Sequence, residues 1–85
     1  MFDAEFLAML RCPEDQSKLS LADAALVSRL NSAIAAGQLK SRGGQKLEKH
    51  LDGALIRDDG RVIYPIVDQI PILLVDEAIW SQDSY

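Results

Sequence analysis

The sequence predicts a small α+β domain: antiparallel β-hairpins in a ribbon-like sheet, with one helix leading in and a second helix inserted. Three observations carry this. Apolar residues recur at helical spacing in two separate stretches near the start of the chain. Two glycine-containing turn signals, Gly43-Gly44 and Asp58-Asp59-Gly60, are flanked by short apolar runs. The chain has 85 residues, 48% of them apolar, and no Pro, Gly or Ser-rich stretch long enough to be a linker, so a single domain with one modest core is expected.

The first expected helix runs from Phe2 to Leu10. Asp3 is placed to cap it, Phe2 can staple onto Leu7, and Phe6, Leu7 and Leu10 share a face. Arg11-Cys12-Pro13 ends it, because the residue before proline avoids the helical region. Glu14 to Lys18 reads as a polar loop or knuckle, and Leu19 to Leu21 as a short extended piece.

The second helix starts at Ser20 and Asp23, which have capping-box spacing with Asp replacing the commoner Glu. Leu26, Val27, Leu30 and Ile34 recur along it, and Gly37 supplies the left-handed residue that stops it. Beyond it, Gln38 to Lys40 and Gln45 to Leu51 are expected as strands around the Gly43-Gly44 turn. Ala54 to Arg57 and Arg61 to Ile66 flank Asp58-Asp59-Gly60 as a second hairpin. Ile70 to Val75 reads as a final strand with Pro71 near its start. Asp76 is expected to cap a last turn reaching Trp80, and Ser81 to Tyr85 to fray.

Composition narrows the function classes. A net charge of −4 gives no electrostatic footprint for binding nucleic acid. The single cysteine, Cys12, cannot form an intramolecular disulfide, so no secreted disulfide scaffold is expected. The acidic start lacks the basic region of a signal peptide, and the apolar runs are too short to span a bilayer. A cytoplasmic setting is the expectation.

The two ends carry a resemblance. The opening AEFLAMLRCP resembles the LL-x-IL-x-CP start of short bacterial zinc-ribbon-like proteins. The close LDGALIRDDGRVIYPIVDQIPILLVDEA resembles their L-x-C…YPI-x-DGIP-x-LL-x-(D/E)-E-A end. The same close occurs in the eukaryotic subunit that activates tRNA, rRNA and release-factor methyltransferases. The resemblance implies two knuckles that each give a pair of thiolates to a structural zinc ion. Here the vestigial knuckle positions are Cys12, Asp15, Arg57 and Gly60, and only the first is a cysteine. The expectation is therefore that the zinc is lost and no cofactor is bound.

Something must then replace the zinc, which contributes on the order of 10 kcal/mol to folding. The inserted segment 21–51 is the candidate. Burying Leu21, Leu26, Val27, Leu30 and Ile34 at about 1.5–3 kcal/mol each is of that size. A further departure from the pattern is Gln69, which stands where the family has glycine. Either that turn has another shape, or Asp68 takes a left-handed conformation.

Other candidates have ordinary readings. His50 has no local motif pairing it with Cys12 as base and nucleophile, and an exposed strand histidine accounts for it. The pairs Glu14-Asp15 and Asp58-Asp59 are expected to be solvated turn residues. Trp80 is either a lid on the core or an interface anchor. The resemblance implies a non-catalytic, protein-binding subunit that stabilises or activates an enzyme, a methyltransferase being the implied class; charge and run length add the expectation of no direct nucleic acid and no membrane partner. The alternative is a stand-alone structural or homo-oligomeric domain. Alternation along Tyr64 to Leu74 leaves Ile63, Val67 and Ile72 as candidates for the partner interface, with Trp80 beside them, while Ile66, Ile70 and Leu73 fill the core.

Overall fold

A computed structural model describes Glu5 and residues 9–80. Glu5 and Met9 are helical. The rest of the expected first helix, with Asp3, Phe2, Phe6 and Leu7, lies outside the described residues, as does the expected fraying of 81–85. The α+β class holds. Five short strands, β1 (Leu19–Leu21), β2 (Gly53–Arg57), β3 (Val62–Val67), β4 (Ile70–Pro71) and β5 (Ile79–Trp80), form one curled antiparallel sheet. Its order is β1-β2-β3-β4, with β5 also pairing with β3. The helix α1 (Ala24–Ala35) packs against it, and a 3-10 turn spans Val75–Glu77.

The ends of α1 are set by local chemistry. The Asp23 side chain accepts a hydrogen bond from the Leu26 N–H at 2.8 Å, so Asp23 is the N-cap. Ser20 belongs to β1, which corrects the capping-box expectation. At the other end Gly37 has φ +71°, its N–H bonds to the Ile34 carbonyl, and the Gln38 N–H bonds to the Ala33 carbonyl. That paired geometry is a Schellman stop, as the glycine predicts.

Opposed residues of an antiparallel pair share a face, so the register sorts the core. Ala54 opposes Pro65 and Ile56 opposes Ile63, which puts these and Val67 on one face. There Leu30, Ala33 and Ile34 of α1 pack with Leu39, Leu51, Ala54, Ile63 and Ile79. Leu55 opposes Tyr64 and Leu19 opposes Arg57, on the other face. There Cys12, Leu19, Leu55, Val62, Tyr64, Ile66 and Ala78 form a second cluster, with Leu10 and Leu73 against it. Leu21, expected in the core, is exposed (44%), because β1 ends the sheet there.

Two strand expectations and one turn expectation are corrected. The segment around Gly43-Gly44 makes only one bridge, Lys40 with Lys46, and 47–51 runs as irregular chain. Asn31 fixes that chain instead: its side-chain amide donates to the Leu51 carbonyl at 3.0 Å and accepts from the Leu51 N–H at 2.7 Å. The expected strand 70–75 is only two residues long. The Ile72 N–H donates to the Pro65 carbonyl, but Pro65 has no N–H to return, and the ladder stops. Finally, Asp76 lies inside the 3-10 turn rather than capping it, and Ile79–Trp80 is a strand.

Candidate functional site

On the face away from α1, the two turns that resemble knuckles meet. The first is residues 12–17, closed by the Cys12 N–H to the Ser17 carbonyl and by the bridge of Arg11 with Lys18. The second is the β2–β3 turn, where the Gly60 N–H bonds to the Arg57 carbonyl at 2.7 Å. The Asp58 N–H bonds to the Lys18 carbonyl and ties one turn to the other. Arg57, at the end of β2, points its guanidinium between them.

The Arg57 side chain is 9% exposed, and its guanidinium is surrounded by acceptors. Its Nε and Nη2 grip the Asp59 carboxylate at 2.7–3.0 Å, and its Nη1 donates to Glu14 at 3.0 Å. Asp15 lies 3.5 Å and the Cys12 sulfur 3.9 Å from the same Nη1. Glu14 is shared: Arg42 also holds it with two bonds of 2.9 and 3.0 Å. Arg42 in turn lies over the Trp80 ring, 4.2 Å from its centroid. Beneath this chain the Cys12 sulfur and the Tyr64 hydroxyl, both fully buried, lie 2.8 Å apart. Burial first, then the contact with Cys12, raises the Tyr64 hydroxyl above its ordinary pKa. The bond from Arg57 holds Asp59 below the usual carboxylate range, as the bond from Arg42 does for Glu14. For Asp15 the largest cause of lowering is the Ser17 hydrogen bond.

Cys12, Asp15 and Arg57 are thus brought together, whereas Gly60 turns outward at φ +74° with open space around it. Asp59 supplies the contact at that end. The acidic pairs are more than solvated turn residues: Asp15 and Asp59 make local turn bonds to Ser17 and Arg61, and with Glu14 they also surround Arg57. A zinc ion does not fit here. The one thiol is committed to Tyr64, the centre is filled by a cation, and among the described residues no group of three or more His, Cys, Asp or Glu could hold a metal. What the sequence does not signal is that two arginines 15 positions apart share Glu14.

His50 is exposed on irregular chain rather than in a strand, and lines a cleft beside α1. Cys12 packs on the opposite face of the sheet, so the structure does not bring the two together.

The candidate interface residues separate. Ile63 is fully buried beneath α1 and cannot meet a partner, which corrects that expectation. Trp80 lies on the opposite face, half exposed under Arg42, and does not join Val67 and Ile72. Val67 and Ile72 are half-buried and line one cleft of about 310 Å³ with Leu47, Leu51 and Pro65. Ile70, expected in the core, opposes Val67 across the hairpin and is 60% exposed, while Leu74 further on is 58% exposed. The β3–β4 turn places Asp68 at φ +52° and also Gln69 at φ +63°, each at about 1–2 kcal/mol of backbone cost. A 2.7 Å bond from the Gln69 N–H to the Asp52 carboxylate holds the turn.

No helix among the described residues is long and apolar enough to cross a membrane. No family model and no curated protein matches the chain. Among solved structures, the solution NMR structure of XF2673 from Xylella fastidiosa is similar, with a TM-score of 0.71 and 34% sequence identity. The match covers 93% of this chain and 81% of that one. Identity at that level over most of both chains, on the same fold, means that this chain belongs to the same family as the Xylella fastidiosa protein XF2673.

Proposed function

We propose that the chain is a non-catalytic protein-binding subunit that stabilises or activates a larger enzyme in the cytoplasm, with a methyltransferase as the client class that the resemblance of its two ends implies. One observation carries the reading. The face of the sheet that α1 covers at Ile63 runs out from under the helix at Val67, Ile70 and Ile72, and leaves an apolar strip beside a cleft. Such a strip is a liability for a lone monomer and a seat for a partner. Pro71 on the outer strand blunts main-chain pairing there, so side chains would carry the contact. Purification of the tagged chain from its native cell tests this. A stoichiometric enzyme in the eluate, with changed activity or stability once the chain is removed, supports the subunit. Recovery of the chain with only copies of itself supports the stand-alone alternative and overturns the proposal.

A further inference from the structure

Charge is segregated along this chain. All nine Lys and Arg precede Val62, where nine Asp and Glu balance them; the other four acids follow, so the whole net charge of −4 resides in Val62–Tyr85. The fold sets three of these acids around the exposed apolar strip. Asp68 precedes Ile70 by two residues in the strained turn. Glu77 lines the cleft that holds Val67 and Ile72, and it lines a neighbouring one with Leu74 and Asp76. Asp52, bonded to the Gln69 N–H, adds a fourth carboxylate beside the turn. The same cleft is also lined by Lys46 and Lys49 with Glu48 between them, and the Lys46 ammonium lies against Gly37.

Resting on the protein-binding reading above, we propose that the strip Val67-Ile70-Ile72-Leu74 docks a positively charged protein face, with an apolar centre ringed by Lys and Arg. The charge selects against the other occupants. A two-fold contact centred on Ile70 would bring the Asp68 carboxylates of the two copies together, and like charges across an interface are strongly unfavourable. Nucleic acid and anionic lipid are repelled by the same carboxylates. Carboxylates thus neighbour exposed aliphatic groups, a combination in which charge steers encounter and burial holds the complex.

The test places a photo-crosslinking amino acid at position 70 of the full chain in its native cell, with position 29 on the exposed side of α1 as control. The cross-linked protein is then purified and titrated with the chain at low and high salt. The expected result is a cross-link from position 70 alone, to a peptide containing Lys or Arg, in a complex that weakens as salt rises. Ile70→Asp abolishes binding. The pair Asp76→Lys and Glu77→Lys weakens it about tenfold, while the pair Glu5→Lys and Asp58→Lys, with the same change in charge, leaves it unaltered. Circular dichroism confirms that each variant is folded. A cross-link only from position 29, a salt-independent complex, or a partner indifferent to both strip variants overturns this docking surface and leaves the subunit reading standing. Cross-linking only to other copies, or to no protein at all, overturns both. Binding of the purified chain to phosphatidylserine vesicles or duplex DNA, abolished by Ile70→Asp, also overturns the proposal, because the strip would then serve a different class of partner.

Discussion

The two faces of the sheet are closed by different physics. On the α1 face, Leu30, Ile34, Leu39 and Leu51 fill the space with aliphatic volume, and the helix ends are satisfied by Asp23 and the Gly37 stop. On the opposite face a thiol, a phenol, two guanidiniums and three carboxylates are interlocked beneath and around Arg57. Apolar packing is undirected and scales with area, so it tolerates modest changes of shape. The ionic network is directional and leaves orphans when one member is lost. The two faces of this domain are thus closed by a helix on one side and a shielded cation on the other. The sequence reading credited the helix alone.

The sharpest way to break this comparison is on the apolar side. Leu30→Ala should cost about 2–5 kcal/mol in denaturant unfolding, since Leu30 is fully buried at the centre of that cluster. Unchanged stability would mean that α1 is only an appendage. Asn31→Ala comes next, with a loss of about 1–3 kcal/mol, because it strips both partners from Leu51. Amide exchange at Leu51 should rise with it; a protected Leu51 amide in that variant would show that some other group holds the segment.

On the polar side, Arg57→Leu should lower Tm by roughly 4–8 °C, a size expected for a domain of this length losing about 1 kcal/mol. Its pH dependence is more diagnostic. Asp59 has its folded pKa depressed by Arg57, so its contribution is fully present above the unfolded value near 3.9 and is lost as pH falls through the lower folded value. The wild-type acid transition should therefore be steeper than that of Arg57→Leu, with the two Tm curves converging toward low pH. Parallel curves would show that the ionic contacts contribute nothing specific. The smallest expected effect is that of a chelator: EDTA should leave Tm unchanged and elemental analysis should find no stoichiometric zinc. One zinc per chain would overturn the role given to Arg57.

What could be read from the sequence was local. Gly37 and Asp58-Asp59-Gly60 act through hydrogen bonds to near neighbours, and they placed the end of α1 and the β2–β3 hairpin almost to the residue, whereas the capping-box spacing of Ser20 and Asp23 set the start of α1 three residues too early. The misreadings share a cause, because each depended on a partner distant in sequence. Segment 45–51 has strand-like residues but no strand beside it, and Asn31 claims its end. Ile79–Trp80 looks like the end of a turn until β3 offers it a pairing edge. Ile63 and Ile70 exchanged expected roles because alternation gives the two faces without saying how far α1 reaches along one of them. At the clasp, Cys12, Asp15 and Arg57 were legible as related positions, but Arg42 and Glu14 were not, since nothing local links residues 28 apart.

The Cys12–Tyr64 contact also bears on the order of folding. It joins positions 52 residues apart, and closing so long a loop costs entropy that no local contact returns in advance. The β2–β3 hairpin and α1 form over short spans, so the first turn should dock late onto a nucleus that already exists. A Cys12→Ala variant is then expected to unfold faster while refolding at nearly the wild-type rate, displacing only the unfolding arm of a denaturant chevron. An equal slowing of refolding would place that contact in the transition state and reverse the sequence of events.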